Sequence, residues 1–324
     1  MRVSIFTNIY KPMVGGVVTS ICAFRQGLIK AGHEVHVIAP EASTSAHEDF
    51  LDEEPYVFRL PAFDVPGDSD LALAVPFKAP LTVAVRGLKP DLIHSQTPIL
   101  MGDLAAKFAR DLNIPLVLTV HSRYHEYIQQ YLPIAADLAG KLVEEIVGRY
   151  LERCSHVIAP TVGVRDLLIH KYKADVPITV VPTPVDLSQY DNLNPQSIRD
   201  ALNLSDETEV LLYIGRLAKE KGLTFLLRAF DRIASERNQT RLLLVGEGTE
   251  REDLQEMAEA LGIGERVIFT GTVPHCEIPH YAAAADLFVF SSFTETQGLV
   301  LVEAMAAGTP VVAVEAPGPM DVLA

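Results

Sequence analysis

Short runs of β-branched and aliphatic residues, bounded by turn residues, alternate along this chain with longer segments of helical period. Parallel strands cannot be joined by tight hairpins and need a crossover, usually a helix, so the alternation points to parallel α/β sheets. Strands are expected at 3–7, 34–39, 56–60, 91–94, 116–120, 156–159 and 178–181, with helices at 17–31, 100–112, 137–154 and 162–171. A stretch rich in Pro, Asn and Asp follows, including Pro182, Pro184, Asp191, Asn192, Asn194 and Pro195. The pattern then restarts, with strands expected at 210–214, 241–245, 266–270, 287–290 and 311–314 and helices at 222–234, 250–261 and 299–307. The expectation is two doubly wound domains, residues 1–187 and 188–324, each offering ligand sites at the carboxyl ends of its strands.

A chain of 324 residues has room for two such cores, and 48% hydrophobic with 21% charged residues describes a globular protein, not a disordered one. No apolar run approaches the roughly 18 residues of a membrane span, and Val3-Ser4-Ile5-Phe6 reads as a first strand, not a leader. Cys22, Cys154 and Cys276 are widely spaced and lack a paired-ligand pattern, so a cytoplasmic protein without a metal site is expected. The net charge of -15 argues against a nucleic-acid partner. Most of that charge falls after Leu187, which leaves the first domain as the half able to approach an anionic surface.

The segment from Ser291 to Met305 carries the sharpest chemical signal, with Glu295 and Glu303 astride Gly298 at the start of an apolar helix. Amides at a helix start bind phosphate through unpaired donors and the positive end of the dipole, and a glycine there permits close approach. Glu303 lies five residues further in, roughly 7.5 Å along the axis, about the offset from a diphosphate to its ribose. Glu295 can reach a sugar on the other side of the phosphates. The alternative is a buried helix behind a strand, with Glu295 a solvated loop charge.

Other motifs sit at strand ends. Gly15 and Gly16 follow the first strand and allow backbone N–H groups to face a phosphate or sugar. Arg216 and Lys221 follow a strand and precede a helix, where they can clamp phosphate and offset the charge of a departing diphosphate; Lys219 reads as solvated. Gly246-Glu247-Gly248 also follows a strand, but Arg251 stands where a dinucleotide fingerprint has its third glycine, so a dehydrogenase is weakly supported. His121 ends a strand and is a candidate sugar or acceptor contact, with His94 a weaker one; either can equally be tied to backbone. Tyr124, Tyr127 and Tyr131 form an amphipathic aromatic face, open to core packing or to lipid contact.

Taken together, Gly15-Gly16-Val17, Gly32-His33-Glu34-Val35, His121, Gly215-Arg216-Leu217, Lys221-Gly222, Val245-Gly246-Glu247-Gly248 and the Glu295-to-Glu303 segment running on to Gly308-Thr309-Pro310 resemble the group-four retaining glycosyltransferases of GT-B fold. The resemblance implies a ribose contact for Glu303, and a diphosphate held by Arg216, Lys221 and the amides around Gln297, Gly298 and Leu299. It also implies a donor-sugar contact for Glu295 and closure by Gly15 and Gly16 from an acceptor-binding first domain. Arg216, Lys221, Glu295 and His121 are the expected catalytic residues, acting without a metal or other cofactor. Residues 121–127 are similar to the stretch that faces a lipid acceptor in bacterial diacylglycerol glucosyltransferases.

The expected reaction is therefore transfer of a hexose, glucose from UDP-glucose, to a hydroxyl with retention of configuration. Diacylglycerol is the leading acceptor, with phosphatidylinositol, a soluble sugar or a polysaccharide as others, and the first domain is expected to touch the inner face of the membrane as a peripheral protein. Family domains continue past the position corresponding to 324, so a truncated second domain is expected. Two other readings stay open: a glycoside hydrolase using Glu295 and Glu303 as its carboxylate pair, and a noncatalytic nucleotide-sugar-binding module.

Overall fold

The computed structural model describes residues 1–41, 55–65, 68–74, 78–124 and 136–324. They divide into two compact units, Met1–Pro184 and Val185–Ala324. The boundary expected near Leu187 falls beside this division, in the short turn Leu187–Tyr190.

The first unit is built on a seven-stranded parallel sheet in the order β3-β2-β1-β6-β7-β8-β9. Its strands are β1 (Arg2–Phe6), β2 (Glu34–Pro40), β3 (Val57–Leu60), β6 (Leu92–Ser95), β7 (Leu116–Thr119), β8 (His156–Ala159) and β9 (Ile178–Val180). Between β3 and β6 lie β4 (Ala62–Val65) and β5 (Asp68–Ala74), which pair antiparallel, and a helix Lys78–Leu88. None of these three was expected; for the strand pair, the Asp, Pro and Gly that punctuate residues 61–70 break the alternation it needs. The two-residue period of β1 sorts its side chains by face. Val3 and Ile5 pack with Val35, Val37 and Ile21 on one side, while Phe6 joins Ile38, Ile93 and Phe108 on the other. The sheet is thus buried on both faces, as parallel sheets are.

The second unit has the order β12-β11-β10-β13-β14, also parallel. The strands are β10 (Glu209–Ile214), β11 (Thr240–Val245), β12 (Val267–Gly271), β13 (Leu287–Phe290) and β14 (Val311–Ala313). Leu212, Tyr213, Leu243, Phe230 and Phe288 form the centre of its core, each without measurable exposure. The turn-rich stretch holds a helix, Pro195–Ala201, whose N-terminus is capped by the Asn194 side chain accepting from the Ser197 amide at 3.3 Å. Asn194-Pro195 is thus a cap followed by a proline at the first helical position, a helix-start signal as much as a turn signal.

In each unit the strand order reverses beside the first strand. The first unit reverses between β1 and β6, the second between β10 and β13. Connections leave toward opposite faces at such a point and open a crevice at the carboxyl ends, which is where open α/β sheets bind ligands.

Candidate active site

At the reversal point of the second unit, the loops after β10 and β13 are fastened together. Gly222 is left-handed (φ 66°, ψ 28°), and a β-carbon on it would lie 2.5 Å from the Ser291 carbonyl oxygen. Only glycine lets these two backbones meet. The Ser291 hydroxyl donates to the Lys221 carbonyl at 2.7 Å, and the Ser292 hydroxyl to that of Glu220 at 3.4 Å. Behind them, β-carbons on Gly246 and Gly248 would lie 2.1 and 2.3 Å from the carbonyl oxygens of Gly215 and Leu217. The Leu217 amide donates to the Glu247 carbonyl at 2.8 Å. Gly246 and Gly248 therefore serve backbone packing, and the Gly-Glu-Gly sequence is a buttress for Arg216 in place of a dinucleotide loop.

Two cations stand on this frame, each with a carboxylate. Arg216 Nη2 is 2.6 Å from Glu220 Oε1, and Lys221 Nζ is 2.6 Å from Glu295 Oε1. The Glu220 side chain is 1% exposed and that of Arg216 39%, so a buried acid anchors a guanidinium that stays partly exposed. The Glu295 loop is backed by the helix Pro317–Leu323, where a β-carbon on Gly318 would come within 2.5 Å of the Glu295 carbonyl oxygen.

Gly298, left-handed at φ 75°, precedes the helix Leu299–Ala306, whose N-terminus has no side-chain cap. Its first amides and dipole thus point to the loop that carries Glu295 and the buried Gln297. Midway along the helix, Glu303 is half-buried, and desolvation raises its carboxyl above the usual range. Among the described residues this carboxylate makes no hydrogen bond or ion pair. Its charge is felt by Tyr190, whose phenol is pushed up first by burial and then by Glu303. A carboxylate desolvated without a partner costs stability in the free protein and suits a group that receives hydroxyl donors from a ligand.

The cost has a pH signature. A raised carboxyl pKa means that the folded state binds the proton more tightly, so this contribution to stability is present in acid and is lost as pH rises through the folded pKa. Glu303→Gln is expected to melt at or above the wild-type temperature at neutral pH, with the difference closing below the ordinary carboxylate range. Calorimetric scans across that range check it; a variant less stable than wild type at neutral pH contradicts it.

In the first unit, Gly15 caps the helix Gly16–Lys30, and a β-carbon on it would meet nothing within 4 Å. Among the described residues, packing does not demand glycine there. His121, just past β7, places Nε2 2.7 Å from Gln96 Oε1. Desolvation first, then His94, lower its pKa to about 3, and desolvation lowers that of His94 to about 4. His121 is therefore neutral at physiological pH, with Nε2 facing Gln96. Gln96, at the carboxyl end of β6, had no motif to announce it; its Nε2 is buried without a partner among the described residues. Asn8 joins the two loops at this reversal point, reaching Thr97 Oγ1 at 3.3 Å and accepting from the Met101 amide at 3.1 Å. Tyr124 packs against the core of this unit and hydrogen bonds Thr97. Tyr127 and Tyr131 lie outside the described residues.

Among the described residues, no three His, Cys, Asp or Glu side chains come together as a metal-binding group, and no helix is long and apolar enough to cross a membrane. All of the second-unit candidates, Arg216, Lys221, Glu295, Gln297, Gly298, Leu299 and Glu303, gather at one reversal point, while Gly15, Gly16 and His121 stand at strand ends of the first unit.

Comparison with known proteins matches residues 14–189 to the model of Glycosyltransferase Family 4 and residues 195–324 to that of Glycosyl transferases group 1. The chain belongs to the family 4 glycosyltransferases. The alpha-monoglucosyldiacylglycerol synthase of Streptococcus pneumoniae is 33% identical to it over 320 residues, covering 97% of this chain and 71% of the relative. That of Acholeplasma laidlawii is 32% identical over 322 residues, covering 96% and 80%. Among solved structures, Anabaena HepE in complex with UDP and glucose superposes with a TM-score of 0.73 at 23% identity, covering 99% of this chain and 82% of that one. A sucrose-phosphate synthase from Thermosynechococcus elongatus gives 0.78 at 21% identity, covering 97% and 81%. The two parallel-sheet units of this glycosyltransferase are thus those of the GT-B fold. Membership of the family also removes the hydrolase reading of Glu295 and Glu303.

Proposed function

We propose that this glycosyltransferase moves glucose from UDP-glucose to a hydroxyl of diacylglycerol, with retention of anomeric configuration and without a metal. The observation that carries the donor half is the gathering of Arg216, Lys221 and the uncapped Gly298 helix start around one reversal point, with Glu303, desolvated and unpaired among the described residues, a turn and a half further in. A diphosphate supplies the anion that this set of donors suits, and a ribose supplies the hydroxyls that Glu303 can accept.

In this reading Arg216, Lys221 and the amides around Gln297, Gly298 and Leu299 hold the diphosphate. Negative charge grows on the departing phosphate as the glycosyl bond breaks, and these fixed donors stabilise it most at that moment. Glu295 accepts from a hydroxyl of the donor sugar. His121, neutral and aimed by Gln96, contacts the sugar or the acceptor through a hydrogen bond. The acceptor attacks from the face the nucleotide leaves, its proton passing toward the departing phosphate oxygen.

The acceptor half is supported by the two alpha-monoglucosyldiacylglycerol synthases, whose names give both the sugar and the lipid. Tyr124, Tyr127 and Tyr131 belong to the stretch proposed to border that lipid, and peripheral contact of the first unit with the inner face of the membrane follows from it. The test is to supply the protein with labelled UDP-glucose, UDP-galactose or GDP-mannose and diacylglycerol in mixed micelles. Label from UDP-glucose is expected in the lipid phase, as an α-linked product. Label only in water-soluble products removes diacylglycerol as acceptor, and transfer from GDP-mannose alone overturns the donor.

A further inference from the structure

We propose that Glu295 sets the preference of this site for the sugar-bearing donor over the spent nucleoside diphosphate, by competing with the diphosphate for Lys221. This rests on the donor site proposed above. Lys221 Nζ sits 2.6 Å from Glu295 Oε1, with the two side chains 20% and 19% exposed. Among the described residues Glu295 is its one ion-pair partner. Arg216 is likewise held by Glu220. Both cations therefore already carry a carboxylate before any anion arrives, and a diphosphate at Lys221 lies within one side-chain width of a second negative charge that water screens only in part.

That repulsion differs between substrate and product. In the transfer, the bond between the anomeric carbon and the phosphate oxygen breaks and its electron pair stays on the oxygen. The acceptor oxygen forms the new glycosidic bond, and the acceptor proton passes by way of the phosphate to water. The nucleotide leaves with one more negative charge than it brought. Before transfer, Glu295 has sugar hydroxyls from which to accept; afterwards the sugar is gone and the carboxylate faces a more highly charged phosphate. Glu295 thus favours the donor when the sugar is present and weakens the product when it is not.

Isothermal titration of UDP and of UDP-glucose into wild type, Glu295→Gln, Glu295→Ala and Glu295→Asp decides the matter. The two variants that remove the charge are expected to bind UDP about five- to tenfold more tightly than wild type. UDP-glucose affinity should stay within about twofold or weaken, because the lost hydroxyl contact offsets the relieved charge. Glu295→Asp, which keeps the charge, should hold UDP within about twofold of wild type, and UDP inhibition constants in the transfer assay should follow the same order. UDP binding that is equal or weaker in both uncharged variants overturns the proposal while leaving the donor site standing. A wild-type protein that binds no UDP overturns the donor site itself, and this proposal with it.

Discussion

Lys221→Ala is expected to lower nucleotide-sugar turnover about 100- to 1,000-fold, the range seen when one donor to a developing oxyanion is removed, while the fold stands. Two losses combine. The ammonium that faces the departing phosphate is gone, and the Glu295 carboxylate, 19% exposed and 2.6 Å from that ammonium in the wild type, is left without its counter-charge beside the anion site. Stability should change little, since the pair is partly wet and its loop is held by the Ser291 hydroxyl on the Lys221 carbonyl, a contact the substitution keeps. Lys221→Arg should fall between the two, because it restores the charge but on a wider, planar group. Initial rates of UDP-glucose consumption alongside melting curves check this; Lys221→Ala within threefold of wild type removes Lys221 from the reaction.

Gly222→Ala is expected to lose about 2–3 kcal/mol of stability and at least about tenfold in rate. The left-handed backbone alone costs an alanine about 1 kcal/mol. The larger penalty is the β-carbon, which would lie 2.5 Å from the Ser291 carbonyl oxygen. That oxygen belongs to backbone directly after β13 and cannot swing aside as a flexible side chain could. Relief requires the two loops to part, and parting them moves Lys221 and Arg216 away from the loop of Glu295 and the Gly298 helix start. Urea unfolding and transfer rates on one preparation measure both; a variant as stable and active as wild type shows that the loops are not locked at Gly222.

Much of this was legible because the chemistry is local. Strands buried on both faces read as unbroken apolar runs, as β11 does in Leu242-Leu243-Leu244-Val245, and each site motif follows a strand and opens a helix. Gly298 with Glu303, and Arg216 with Lys221, are each close enough in sequence to show their spacing. What stayed hidden is what distant segments do to one another. Ser291 and Ser292 bond to carbonyls 70 and 72 residues away, and Glu295 meets Lys221 across 74, separations that no local period records. Glu220 reads as one more charge in a charged loop, yet it is buried and aims Arg216. Gly318 and Gly222 look like ordinary turn glycines until the opposing carbonyl is located. Gln96 gave no signal at all, because a glutamine after a strand becomes informative only when His121 is found opposite it.

The second unit is proposed to grip a nucleoside diphosphate at the amide-rich start of the Leu299–Ala306 helix. A crystal structure of the protein with UDP tests it most directly. Phosphate oxygens are expected on the amides at Gly298 and Leu299, with Arg216 and Lys221 at the same phosphates and the ribose hydroxyls on Glu303. A nucleotide bound elsewhere, or with its ribose turned away from Glu303, contradicts it.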